Sequence, residues 1–566
     1  MTLTRKAWAQ AGVAGVAVLL AASACGGSSN KSSNSSNASG QKGGTLYVLD
    51  HDDFEHLDPA RIYVSAGLDA SRLITRTLTT YKAKPGKEGL EIVPDMATDL
   101  GQKNDTCTQW TFHLKDGLKY EDGTPIKAAD IKYGIERTFT DELSEGPQYP
   151  KQYIQGGDTY AGPYKDPTGD LKGIEVKDDK TLVFHLVKTV CDFNYTAAFP
   201  EFSAVPKAKD TRDQFDNKVF STGPYKMQTY ERGKQLVLVR NQYWDKKSDP
   251  IRTALPDKVE VDMGLAEDVI AQRMIADQGN DQKAVMLDIS MPAAQLPQTQ
   301  TPNVKNRLIS GANGYVYYLA INQQRVKDLA VRQALNTMVD KGAVMQTCGG
   351  IHVCGDPATT ITAPNVQSYR KLDMYHGGDH GDVAKAKEIL AKANIKTPVP
   401  LTLAYRDRQD VADQFAAFQR GFERDGVFKI TPKPVPSTGY FAKIGTPASM
   451  ADADMIWADW GADWPSGSTV IPPLFDGRQI KPNGNQVLSL VNDSDLNKKI
   501  DEAQSEVDNT KAQQKWADLD KEVQQKALII PWRYGITQDL RGSKVTGGYL
   551  HPFFGGFDLI SLGVQS

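Results

Sequence analysis

The chain predicts a mixed α/β (α+β) fold divided among more than one domain. Three observations carry that expectation. Its 566 residues are too many for one compact core. Segments of period-two alternation and segments of helical spacing succeed one another along the whole chain. Glycine and proline punctuate them, as many turns require.

The body begins near GGTLYVL at Gly43. In WTFHLKDGLKY, Trp110, Phe112 and Leu114 alternate with polar neighbours, which predicts a half-buried strand. EDGTP then makes a turn, and IKAADIKYGIERTF reads as a helix whose better-defined part opens at Asp130. TLVFHLVK from Thr181, KQLVLVRNQYW from Lys234 and KVEVDM from Lys258 read as further strands. LAVRQALNTMVDK from Leu329 is an amphipathic helix with Val331, Ala334, Leu335 and Met338 on one face. DVAKAKEILAKAN from Asp382 is a second. VADQFAAFQRGFERDG is a third, with Gly426 expected just past its end. WADLDKEVQQKALIIPW reads as a helix running into an apolar strand at Ile529 to Trp532.

The first 44 residues obey a different logic. Arg5 and Lys6 precede an uncharged, Ala-rich run that ends in small residues before Cys25, the shape of a signal peptide over residues 1–24. Ala22 to Cys25, ASAC, resembles a bacterial lipobox. That resemblance implies cleavage before Cys25 and lipid on its sulfur; Ala22 stands where Leu is usual. Residues 26–44 are rich in Gly, Ser and Asn with a single Ala, a composition that cannot form a core. As a coil they would separate the anchor from the body by about 25 Å. No later stretch is long and apolar enough to span a bilayer. A net charge of −3, with Lys and Arg dispersed, gives no reason to expect nucleic acid.

Four cysteines remain in that oxidising setting. Of three pairings, Cys348 with Cys354 and Cys107 with Cys191 are favoured. The first closes a small loop around GGIHV; the second joins residues bordering two strand-like stretches. The chain contains no GxSxG, no GxxxxGK[ST] and no HExxH, so no catalytic residues are assigned. His376 and His380 in HGGDHGD, and His51 and His56 around DDFE, sit near carboxylates. Neither stretch is periodic, so solvated loops are expected rather than a metal site, and no cofactor is expected.

Eight blocks resemble, in order, the oligopeptide/dipeptide-binding solute-binding proteins of ABC importers, family 5. They are HLDPA at His56, WTFHLKDGLKYEDGTPIKAADIKYGIERT at Trp110, STGPYKM at Ser221 and LVRNQYWD at Leu238. LAINQQ at Leu319, DLAVRQALNTMVDK at Asp328, WGADWPSG at Trp460 and LIIPW at Leu528 complete the set. The resemblance implies a two-lobed, periplasmic-binding-protein-like fold with a hinge, in its large three-domain variant. Domain I would take 45–88, 216–316 and 531–566, domain II 89–215 and domain III 317–530. It also implies no enzyme but a monomeric receptor, lipid-anchored at the outer face of the membrane. The receptor would capture short peptides between its lobes and deliver them to ABC permease subunits with a cytoplasmic ATPase.

In peptide-binding members of that family, the aspartate of the block resembling GADWP pairs with the peptide's α-ammonium, and Asp463 is the matching position. The physics suits it: an enclosed ammonium loses water and needs a charge-assisted partner. Trp460 and Trp464 are expected to wall the site. Tyr63 and Ser65, just after LDPARI, are expected to line it, although an acidic residue of some members is missing there. Asp459 is expected to make a structural hydrogen bond, and Thr222 and Tyr225 to serve turn and packing. Ser466 stands where the family often has Asp-Pro. The same fold holding a sugar, a nickel complex or another small solute is the alternative, with an exported hydrolase behind it.

Overall fold

The computed structural model describes residues 42–565 apart from 144, 168, 290 and 293. The signal segment, Cys25 and the tether up to residue 41 lie outside the described residues. The body takes hold of the chain at once, since the Gly43 amide donates to the Leu255 carbonyl at 2.9 Å.

Three sheets organise the body. Thr45–Leu49 lies between Lys258–Asp262 and Ala284–Met286, parallel to both. Gln235–Arg240 and Tyr225–Glu231 extend that sheet antiparallel. A four-stranded antiparallel sheet runs Gln102–Lys103, Gln109–His113, Thr181–His185, Ile174–Asp178. A six-stranded mixed sheet runs Asp356–Pro357, Ile529–Leu540, Leu308–Ile321, Met455–Gly461, Val399–Asp407, Phe428–Pro436. Each sheet carries its own hydrophobic core. Trp110, Phe112, Leu182 and Phe184 fill the second, the inward face of two alternating strands.

The helices obey their caps. Ala128–Arg137 starts after Lys127, and the Asp130 carboxylate accepts from the Lys127 amide. Leu329–Met338 and Val383–Lys392 begin at Asp328 and Asp382, whose side chains accept from the first-turn amides. The predicted amphipathic face Val331, Ala334, Leu335, Met338 is buried. The third helix is Gln409–Phe422 and stops earlier than Gly426 suggests. A further tight turn, Arg424–Gly426, intervenes, with Asp425 and Gly426 at φ of 51° and 65°. Glycine therefore marks the end of that turn and not of the helix. Asn509–Gln525 leads into the strand Ile529–Leu540, as expected, but that strand runs on well past Trp532.

Both favoured cystine pairings are present, Cys107–Cys191 and Cys348–Cys354. Among the described residues no helix is long and apolar enough to cross a membrane.

Candidate functional site

Tyr63 and Ser65 are held in place by buried charge. The HLDPA turn packs Asp58 against Arg137, with two contacts of 2.7 and 2.6 Å and both side chains fully buried. Asp216 accepts from the Leu57 and Asp58 amides at 2.6 Å and from Arg61 at 2.8 Å. His56 also reaches Asp216, at 2.8 Å. Two of the sequence blocks, HLDPA and the helix ending in ERT, are thus one fixture. From it the chain leads through Tyr63 into the helix Ser65–Ile74.

Asp463 comes from the other side, two residues beyond the strand Met455–Gly461. Its carboxylate accepts from the Tyr63 hydroxyl at 2.9 Å and from the Tyr149 hydroxyl. Burial raises its pKa to about 6 against the pull of those two phenols. The Glu201 carboxyl lies near enough to feel Asp463 and is 1% exposed with neither oxygen partnered; burial and that neighbouring charge keep it well above the usual carboxylate range.

A cavity of about 70 Å³ opens on this aspartate, with Tyr63, Ser65, Tyr315, Gly461 and Ala462 in its wall. A larger one, about 260 Å³, adjoins it and shares Ser65, Asn313, Tyr315 and Phe554. The wall between strands exists because the long strand Leu308–Ile321 bulges. Ala312 pairs with Ile536 and Val316 with Tyr534, so Asn313 to Tyr315 leave the ladder with Ile529–Leu540 and line the cavities, while Tyr315 stays paired with Gly461 on the other side. Gly314, at φ 80°, permits that path, and a Cβ there would meet Asn365 at 2.6 Å.

The two tryptophans occupy different places from those expected. Trp464 is fully buried, its ring centroid 4.9 Å from that of Tyr149, and its indole N–H donates to Asp192 at 2.7 Å. It braces the aspartate from behind. Trp460 packs on the large core and donates to the Thr469 carbonyl at 2.9 Å. Neither lines either cavity. Ser466 is buried, and its hydroxyl accepts from Gln513 at 2.9 Å, so the departure from Asp-Pro is absorbed into the loop's own support.

Asp459 departs from the expected structural role. No hydrogen bond to its side chain occurs among the described residues, and it lines the larger cavity opposite Tyr317. Burial raises its pKa to about 6, opposed by Arg533, Arg406 and Arg408. Sequence reasoning also missed Tyr149, Glu201, Asp69, Asp288 and Asp539. Asp69 left a signal: it falls on the helical face that Ala66, Ala70 and Leu73 bury. Thr222 accepts from the Arg76 amide at 2.8 Å, and Tyr225 is buried with its hydroxyl on the Pro256 carbonyl at 2.7 Å. His376 and His380 are exposed, and His51 sits between Asp50 and Asp52. Among the described residues no three His, Cys, Asp or Glu side chains gather as a metal ion requires.

The model of the bacterial extracellular solute-binding proteins, family 5, matches residues 91–482. The chain belongs to that family. It is 29% identical to the periplasmic oligopeptide-binding protein OppA of Salmonella typhimurium over 316 residues, 52% of this chain and 53% of that one. The chain thus spans about half the length of that curated relative. It is 23% identical to the probable D,D-dipeptide-binding periplasmic protein DdpA of Escherichia coli over 84% of this chain and 86% of that one. Among solved structures it is similar to clavulanic acid biosynthesis oligopeptide binding protein 2. The TM-score is 0.87 at 31% identity, covering 93% of this chain and 96% of that one. The relatives of this mixed α/β, multidomain chain are substrate-binding proteins of transporters, not enzymes.

Proposed function

We propose that this family 5 member captures short peptides by their α-ammonium at Asp463 and hands them to an ABC permease. One observation carries the reading: a carboxylate on the wall of a cavity, held by two tyrosine hydroxyls and, among the described residues, by no cation of this chain. A peptide's ammonium supplies the missing charge. Extended backbone beside Gly461, Ala462 and the bulged Asn313 to Tyr315 fits a ligand read through its main chain. The names of the relatives point the same way.

Lipid on Cys25 and a tether of residues 26–44 would hold the body at the outer face of the membrane. The three domains would meet at two neighbouring crossings, 316/317 and 530/531. Both fall in paired strands, Leu308–Ile321 and Ile529–Leu540, beside a register shift between Tyr317 and Tyr318. That supports a hinge at this point. The sugar alternative needs indole faces on a cavity, and Trp457, Trp460 and Trp464 line neither of the two cavities.

The test is native mass spectrometry of the soluble form starting at Gly43, purified gently and then denatured. A ladder of small masses that fragment as peptides is the expected result. A single non-peptide mass would overturn the ligand class while leaving the family intact.

A further inference from the structure

The larger cavity carries a charge pattern that a peptide backbone does not require. Four carboxylates line it, Asp69, Asp288, Asp459 and Asp539, and no lysine, arginine or histidine among the described residues does. They arrive from four separate segments: the helix Ser65–Ile74, the chain just after Ala284–Met286, the strand Met455–Gly461 and the strand Ile529–Leu540.

A second, independent observation concerns their partners. Asp69 and Asp539 are each 1% exposed. Neither oxygen of Asp69 and not Oδ1 of Asp539 has a hydrogen-bond partner. Arg72 stands 3.7 Å from Asp69 but is committed to Asp558 at 2.6 Å. Arg533 lies over the Tyr317 ring and donates to the Cys354 carbonyl at 2.9 Å. Arg406 donates to Ser437, Arg408 is paired with Asp410, and His51 with Asp50 and Asp52. The cations of the neighbourhood are therefore spoken for, and none reaches the cavity wall. Unpartnered buried carboxyls such as those of Asp69 and Asp539 are costly, and the half-buried Asp459 and exposed Asp288 add negative charge around the same space. Desolvation raises the pKa of Asp288 and Asp459 to about 6 and holds Asp69 and Asp539 well above the usual carboxylate range. A cation in that space would let them ionise.

We propose that the larger cavity receives a cationic side chain, a guanidinium or an ammonium, borne near the amino terminus of the bound peptide. The carboxylates surround the space without converging as a metal ion requires, which suits a spread organic cation. The inference rests on the peptide reading of Asp463, because the shared wall of Ser65, Asn313, Tyr315 and Phe554 puts a neighbouring side chain within reach once the α-ammonium is seated.

The experiment is titration calorimetry on the soluble chain with trialanine, Arg-Ala-Ala, Ala-Arg-Ala, the two citrulline counterparts, free arginine and free lysine. Citrulline keeps the shape and removes the charge. At least one arginine peptide is expected to bind about tenfold or more tighter than its citrulline twin. In Asp459→Asn and in Asp539→Asn that ratio is expected to shrink toward one. Thermal unfolding checks that each variant is folded, and Asp459→Asn, being less buried, stands if Asp539→Asn does not. Equal affinity for arginine and citrulline, with trialanine bound, overturns this proposal and leaves the peptide reading intact. Binding of free arginine or lysine but of no peptide keeps the cavity's cation and overturns the peptide reading. No binding of any probe overturns both.

Discussion

Asp463 is a half-buried carboxylate that, among the described residues, two tyrosine hydroxyls and no cation of this chain reach. Burial raises its pKa to about 6, while the Tyr63 and Tyr149 hydroxyls pull the other way by donating to the ionised form. That fixes the sign of the pH dependence. A cation binds the ionised carboxylate, so affinity for a peptide with a free amino group is full near pH 7.5 and falls as pH drops through about 6. Tyr149→Phe removes one donor, raises the pKa further and moves that midpoint to higher pH; titration calorimetry from about pH 5 to 8 measures it. Stability of the protein alone has the opposite sign. The folded carboxyl binds protons at a pH where the unfolded one, near 3.9, has lost them, so this group favours folding as pH falls through about 6. Position 463 is legible in the sequence only through a family resemblance, because a carboxylate between tryptophans reads equally as a surface turn. Asp459 escapes sequence reading for a related reason: which strand face meets a cavity depends on the bulge across from it.

At the scale of elements, the bulge at Asn313 to Tyr315 and the Cys107–Cys191 cystine lie closest to the residues that place the site. Gly314→Ala would force a side chain into the left-handed region and against Asn365. A loss of roughly 1–2 kcal/mol is expected, read by denaturant titration, together with weaker peptide binding. Cys107–Cys191 closes a loop of 84 residues beside Asp192, the acceptor of Trp464, whereas Cys348–Cys354 closes one of 6. Chain entropy predicts a cost of about 4.5 kcal/mol for removing the first and about 2 kcal/mol for the second. Comparison of the two double-serine variants by chemical unfolding checks that order. Strands such as Gln109–His113 and Thr181–His185 are readable because one face meets a core and the other meets water. The bulge is not, since its cause is the pairing of residues more than two hundred positions apart.

Across the whole molecule, the chain leaves the five-stranded sheet after Thr45–Leu49, builds the four-stranded sheet, and returns to the first at Tyr225–Glu231. The mixed α/β class is legible in alternating periodicities. The interleaving is not, because periodicity reports neighbours along the chain and not which distant strands pair. Hydrogen bonds at Asp463 and Asp192 tie together four separate stretches, at Tyr63, Tyr149, Asp192 and Asp463, so binding there is coupled to their relative placement. A hinge in the paired strands Leu308–Ile321 and Ile529–Leu540 predicts a smaller radius of gyration by solution X-ray scattering when peptide is added. An unchanged scattering curve at saturation would remove the hinge from the account. The most direct test of the central claim is a double comparison by calorimetry: trialanine against N-acetyl-trialanine, on the native chain and on Asp463→Asn. The account predicts that acetylation costs about tenfold or more in affinity on the native chain and almost nothing on the variant. An equal loss on both proteins, or none on the native chain, would contradict the assignment of the peptide ammonium to Asp463.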